Sequence, residues 1–325
     1  MFRMRRKSRG GDSPILMQVI TAVKATAIAT PLRPSMIENR MSKPLTPMDA
    51  APLISTDELA ALRGRPDVKI IDASWWLDGR DAYADYLHSR IEGAVFFDLE
   101  AVSDQSSSLP HMLPSATDFE AAASALGIAD TDHIIVYDRQ GMFSAARVWW
   151  TFRTMGAAKV QVLDGGFPKW AAEERDVETS PPTPITPSMF KAHLNTDAVA
   201  TMTDLMANLG TTTQILDARG SARFNGTQPE PRAGVRGGHM PGAINLPFSA
   251  LLNADKTMKG GPELEAAFQK VGLDFDRPVI TSCGSGVTAA ILTLGLALLG
   301  KTSRLYDGSW SEWGSLQDTP IETTP

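Results

Sequence analysis

The sequence predicts an α/β protein made of two tandem domains, each a mostly parallel sheet flanked by helices. Three observations carry that expectation. Short apolar, strand-like runs alternate with helical stretches, the pattern of strand–helix–strand crossovers. The same series of motifs then runs a second time at a nearly constant offset of about 145 residues, which indicates a duplication on the scale of a domain. Between the copies, residues 176–187 contain Ser180-Pro-Pro-Thr-Pro-Ile-Thr-Pro, a density of proline that reads as a semi-rigid linker and not a domain interior.

The elements follow in order. Residues 1–48 read as a basic tail, opening Met1-Phe-Arg-Met-Arg-Arg-Lys-Ser-Arg-Gly, with few acids before Glu38. A disordered, dispensable segment is expected there on composition. A transit-like peptide, or a later start at Met36, Met41 or Met48, are the alternatives. Residues 50–175 are expected to form the first domain, 176–190 the linker and 191–322 the second domain. In the first half, Ser55-Thr-Asp-Glu-Leu carries a helix-capping pattern. Val68-Lys-Ile-Ile-Asp-Ala is a strand, and Gly93-Ala-Val-Phe-Phe-Asp-Leu-Glu a second one running into a loop. Residues 117–127 form a helix closed by Gly127. His133-Ile-Ile-Val-Tyr-Asp is a third strand, 144–155 a helix, and Lys159-Val-Gln-Val-Leu-Asp-Gly-Gly a fourth strand with its turn.

The second half repeats these signals. Met202-Thr-Asp-Leu-Met opens a helix, and Gln214-Ile-Leu-Asp-Ala-Arg matches Lys69-Ile-Ile-Asp-Ala-Ser. Gly242-Ala-Ile-Asn-Leu-Pro-Phe matches Gly93-Ala-Val-Phe-Phe-Asp-Leu. Pro278-Val-Ile-Thr-Ser-Cys matches His133-Ile-Ile-Val-Tyr-Asp, and Ser303-Arg-Leu-Tyr-Asp-Gly-Ser-Trp matches the fourth strand.

Composition limits the function classes. The chain has 325 residues, 43% hydrophobic, with a formal net charge of −6. That balance supports ordinary globular cores and argues against a general nucleic-acid binder. A single cysteine rules out an intramolecular disulfide and a thiolate-cluster metal site. No metal or cofactor is expected. No apolar run reaches the length of a membrane span, so no membrane partner is expected. A reactive thiol without a partner suits a reducing compartment, hence the cytoplasm, or a mitochondrion if the basic N-terminus is a transit peptide.

The chemistry concentrates in Val279-Ile-Thr-Ser-Cys-Gly-Ser-Gly-Val-Thr-Ala-Ala. A β-branched run leads into a short glycine-rich loop, and the apolar helix 288–299 follows. Gly284 and Gly286 can take backbone angles closed to other residues, so the loop can turn its N–H groups inward as an anion nest. The helix adds the positive end of its dipole. A thiol at Cys283 in that field is expected to ionise below its free value of about 8.5. The matching position in the first half is Asp138, so only the second half carries a nucleophile. The cleft between the halves is the expected site.

With these motifs the chain resembles the tandem-domain rhodanese superfamily over about residues 50–320. The loop Cys283-Gly-Ser-Gly-Val-Thr is similar to that of its mercaptopyruvate sulfurtransferase branch. Gly238-His-Met-Pro-Gly-Ala, Asp307-Gly-Ser-Trp-Ser-Glu-Trp and His111-Met-Leu-Pro match as well. The resemblance implies that Cys283 accepts sulfur. It implies that the loop residues Gly284, Gly286, Val287 and Thr288 cradle it. It also implies that Arg223 and Arg232 hold the substrate carboxylate. Ser285 takes the place of the family's loop serine, and His111 that of a first-domain histidine facing it. Glu100 stands where the family often has Asp.

The implied reaction moves sulfane sulfur from 3-mercaptopyruvate through a Cys283 persulfide to a thiol acceptor such as thioredoxin, or to cyanide, and releases pyruvate. Paired guanidinium groups suit a keto-acid carboxylate because each can fork onto it with two bonds. Thiosulfate-preferring relatives carry cations after the cysteine, whereas Gly284 and Ser285 are neutral, which favours the monoanionic donor. Thiosulfate on the same site is the alternative, and a non-catalytic sulfur carrier a remote one. A Cys-dependent phosphatase would need an arginine after the loop, where Ala289 and Ala290 stand. His239 reads as a structural hydrogen-bonder, Asp72 and Asp217 as loop caps, and Trp310 and Trp313 as packing residues.

Overall fold

The computed structural model describes residues 51–324, so the expectations for the basic tail lie outside the described residues. The first half contains β1 (Leu53–Ile54), α1 (Thr56–Leu62), β2 (Val68–Asp72), α2 (Ala82–His88), β3 (Arg90–Ile91) and β4 (Val95–Phe96). It continues with α3 (Ala116–Ala125), β5 (His133–Tyr137), α4 (Ala145–Thr154), β6 (Lys159–Leu163), α5 (Gly166–Ala172) and β7 (Val177–Glu178). The second half contains β8 (Val199–Ala200), α6 (Met202–Asn208), β9 (Gln214–Asp217), α7 (Ser221–Phe224) and β10 (Ile244–Asn245). It ends with α8 (Gly261–Lys270), β11 (Val279–Ser282), α9 (Ala289–Leu298), β12 (Arg304–Tyr306) and α10 (Ser309–Trp313).

The duplication is plain in the topology. The first sheet runs β1-β6-β5-β2-β4 and the second β8-β12-β11-β9-β10, the same order, with every neighbouring pair parallel. The central strands explain why they sit where they do. All five residues of β5 and all four of β11 are buried, as expected of parallel strands covered by helices on both faces. Both halves open with a capping box, Ser55 with Glu58 and Thr201 with Asp204, each satisfying two otherwise orphaned amide donors.

The two halves meet through α4 and α9, which pack on one another. Trp149, Phe152, Ile291 and Leu292 belong to one continuous apolar core that spans both halves. The proline-rich segment leaves the first domain as an exposed strap. Its beginning pairs as β7 antiparallel to β3, and Arg90 binds Glu178 at 2.8 Å. Its end is anchored by Phe190, fully buried edge-on against Phe119 and Phe152. Because parallel strands place their C-terminal ends on one side, the loops after β2, β5, β9, β11 and β12 gather there. The loop that begins at Cys283 is one of them.

Candidate active site

β11 delivers Cys283 directly from its last residue, Ser282, and α9 begins six positions later with Thr288 as its N-cap. Between them the loop turns back on itself. Gly286 has φ +77°, a conformation that costs other residues. A methyl group there would also come within 2.8 Å of Arg147 Nη1, and one on Gly284 within 3.0 Å of Arg223 Nη2. Both glycines therefore admit an arginine close to the loop.

The loop is held from outside by α10 and the turn before it. Ser309 Oγ accepts from the amides of Cys283 at 3.2 Å and Gly286 at 3.1 Å, while donating to the Tyr306 carbonyl. The Trp310 amide donates to the Cys283 carbonyl at 2.9 Å. The Ser311 amide and hydroxyl both donate to the Gly284 carbonyl. The amides of Gly284, Ser285, Val287 and Thr288 have no acceptor among the described residues. Four amide donors of the loop that begins at the buried cysteine thus remain unspent among the described residues, and such donors can stabilise an anion.

The first domain reaches into this site with a chain of hydrogen bonds. His111 Nδ1 lies 3.0 Å from Ser285 Oγ, and His111 Nε2 lies 2.9 Å from Glu100 Oε1. The indole N–H of Trp75 donates to the same Glu100 oxygen at 2.8 Å, and its ring meets the imidazole edge-on. Burial pulls the His111 pKa below its ordinary value and outweighs the opposing pull of Glu100; Arg147 and Arg232 act in the same direction as burial. The ring is therefore mainly neutral at pH 7. A neutral ring with its proton on Nε2, toward the carboxylate, presents Nδ1 as acceptor to the Ser285 hydroxyl. Burial works to raise the Glu100 carboxyl, but His111, Trp75 and Arg232 together hold it below its usual range.

The two arginines stand differently. Arg223 donates through Nε to Glu230 at 3.1 Å, with its Nη2 on the same oxygen. Glu230 is shared with Arg219, which also grips Asp217 and lies over the Trp310 ring. Arg232 has no hydrogen-bond partner among the described residues. Burial and the neighbouring Arg223 lower its pKa, while Glu100, Cys283 and Glu230 pull the other way; the guanidinium stays charged at any ordinary pH. The residues singled out from sequence are thus brought together from both halves. Others were not anticipated from sequence: Trp75, Arg147, Glu230, Ser309 and Ser311. Ser309 and Ser311 lie in the Asp307-Gly-Ser-Trp-Ser motif, which carries the family resemblance without pointing to either serine. His239 bonds the Phe224 carbonyl and stacks on the Phe224 ring, a structural role.

A family model for the rhodanese-like domain matches residues 55–173 and again 201–316, so the chain belongs to the rhodanese family, in tandem form. Its chemistry is sulfur transfer. Escherichia coli 3-mercaptopyruvate sulfurtransferase is 44% identical over 274 residues, 83% of this chain and 97% of that protein. Bos taurus thiosulfate sulfurtransferase is 41% identical over 271 residues, 80% of this chain and 91% of that one. The crystal structure of SseA from E. coli, a 3-mercaptopyruvate sulfotransferase by its description, superposes with a TM-score of 0.74 at 41% identity. It covers 80% of this chain and 99% of its own. Among the described residues no helix is long and apolar enough to cross a membrane.

Proposed function

We propose that this protein takes the sulfur of 3-mercaptopyruvate onto Cys283 as a persulfide, releases pyruvate and hands the sulfur to a thiol acceptor such as thioredoxin, or to cyanide. The observation that carries this reading is the Glu100–His111–Ser285 chain ending beside the cysteine loop. The donor requires it. Attack of the Cys283 thiolate on the substrate sulfur forms an S–S bond and breaks the C–S bond, and the electron pair leaves on the pyruvate enolate. The proton carried by the substrate thiol must then reach the methylene carbon. Net, a thiolate and a mercaptopyruvate become a persulfide anion and pyruvate, with no proton gained or lost. A hydroxyl bonded to a neutral imidazole can move such a proton.

Arg232, without a hydrogen-bond partner among the described residues and within electrostatic reach of Cys283, is the primary clamp for the substrate carboxylate, and Arg223 flanks it. Gly284, Gly286, Val287 and Thr288 line the nest that holds the sulfur anion. Thiosulfate on the same site is the second reading, and similarity to the bovine thiosulfate enzyme favours keeping it. Transfer from thiosulfate expels sulfite and needs no proton. A relay would then serve no purpose, and the loop offers a dianion no cation of its own. A carrier without catalysis would have no use for the arginine pair. A reducing compartment suits the lone thiol, the cytoplasm by preference. The deciding experiment incubates the protein with mercaptopyruvate and dithiothreitol and measures pyruvate. Release is expected, with higher kcat/KM than for thiosulfate; no pyruvate at millimolar donor would defeat the proposal.

A further inference from the structure

The relay depends on a residue in one domain meeting a loop in the other, so something must fix their register. His111 itself has φ +59°, a left-handed backbone that a non-glycine residue adopts only when its surroundings impose it. The contacts that impose it converge on one buried ion pair. Arg147, on α4 of the first domain, binds Asp307 at 2.6 Å, in the turn after β12 of the second; both side chains are almost fully buried. Arg147 Nη2 also donates to the His111 carbonyl at 2.5 Å, and Nη1 reaches the Gly286 carbonyl at 3.5 Å. The other oxygen of Asp307 accepts from the Leu113 amide at 2.7 Å. The same turn leads into Ser309, which holds the amides of Cys283 and Gly286.

We propose that the Arg147–Asp307 pair is the positioning device that registers His111 of the first domain against Ser285 and the Cys283 loop of the second. The pair touches the two peptides that follow the relay histidine, through the His111 carbonyl and the Leu113 amide, and the carbonyl at the loop's left-handed glycine. Both side chains are almost fully buried and act through backbone groups. Their effect is to hold a strained histidine at hydrogen-bond distance from a serine on another domain. A fork of guanidinium donors suits this task because it can serve a carboxylate and two carbonyls from one plane. The inference rests on the proton-relay reading given above.

The test uses the full chain and two donors. Asp307→Asn keeps the shape and an acceptor for Leu113 but removes the charge that orients Arg147. Expected is a fall in kcat with mercaptopyruvate of about thirtyfold with KM within about threefold. The fall in thiosulfate turnover, which needs no relay, should be at least tenfold smaller. In a His111→Ala background the same substitution should cost mercaptopyruvate turnover less than about twofold more, because the two changes disable one device. If Asp307→Asn fails to fold, Arg147→Lys is measured in the same way. Equal losses for both donors would mean that the pair merely supports the loop, and losses that multiply with His111→Ala would mean that it acts elsewhere. Either outcome overturns the inference. A His111→Ala enzyme as fast as wild type would remove the relay reading itself and this inference with it. A His111→Ala defect without an Asp307→Asn defect would remove only the inference.

Discussion

The two halves carry the same strand–loop–helix unit, and they differ in what fills it. In the first half Asp138 follows β5, and its carboxylate accepts from the amides of Gln140, Phe143 and Ala145. In the second half Cys283 follows β11 at the corresponding position, and most of the loop amides remain unspent. The first nest is closed by its own side chain; the second stays open for a sulfur that arrives with the substrate. One residue type at one position thus separates a structural turn from a reactive one. Asp138 is fully buried, and burial raises its pKa against the amides that lower it.

The strongest way to break the comparison is Cys283→Ser, expected to reduce sulfur transfer by about a thousandfold or more while the fold persists. Pyruvate release and circular dichroism check both halves of that statement. Cys283→Asp sharpens it, since a carboxylate should close the second nest as Asp138 closes the first. That variant should be inactive yet melt no lower than Cys283→Ser. His111→Ala is next, with a loss of about a hundredfold in mercaptopyruvate kcat and a smaller loss with thiosulfate. Arg232→Ala should raise KM for the keto acid roughly tenfold to a hundredfold with less change in kcat, as expected for a lost charged hydrogen bond. An unchanged KM would refute the clamp. Asp138→Ala leaves three amides unpaired, one buried and two half-buried, and should cost about 1–3 kcal/mol of stability, read by chemical denaturation, with turnover per folded molecule little altered. The smallest effect concerns pH. His111 works as a neutral ring, so its turnover with mercaptopyruvate should fall only as pH drops below about 6.5. Glu100 raises the His111 pKa, so Glu100→Gln should move that acidic limb to lower pH. Arg147 and Arg232, the other charges acting on the ring, remain in place.

Much of this was legible in the chain. The parallel sheets, the repeat and the Cys283 loop follow from local apolar runs and glycines, and so did the helices at 145–154 and 289–298. The short helices α2, α5 and α7 were not: four to seven residues carry too little periodicity, and unlike α1 and α6 they have no capping box to announce them. α8 was missed for another reason: it opens Gly260-Gly-Pro, which reads as a turn, although proline fits the first turn of a helix. The site residues with no local signature are those defined by a partner met only in the folded chain, whether across the domain boundary or within one domain. Arg147 sits in an apolar helix beside two tryptophans and looks like an isolated charge until Asp307 appears opposite it. Glu230 lies between prolines in an irregular loop, and only its meeting with Arg219 and Arg223 gives it a role. Contacts of this kind depend on distance in space, which spacing along the chain does not encode.

The anchoring of the Cys283 loop by Ser309, Trp310 and Ser311 has a bearing on biosynthesis. Ser309 follows the cysteine it holds by 26 residues. The first half, complete by β7, can collapse while the remainder is still being translated. The reactive thiol acquires its surroundings only once the turn after β12 has emerged from the ribosome. A nascent chain that has not yet reached Ser309 would therefore hold a cysteine with no organised nest, and sulfur would be loaded only after that turn is in place.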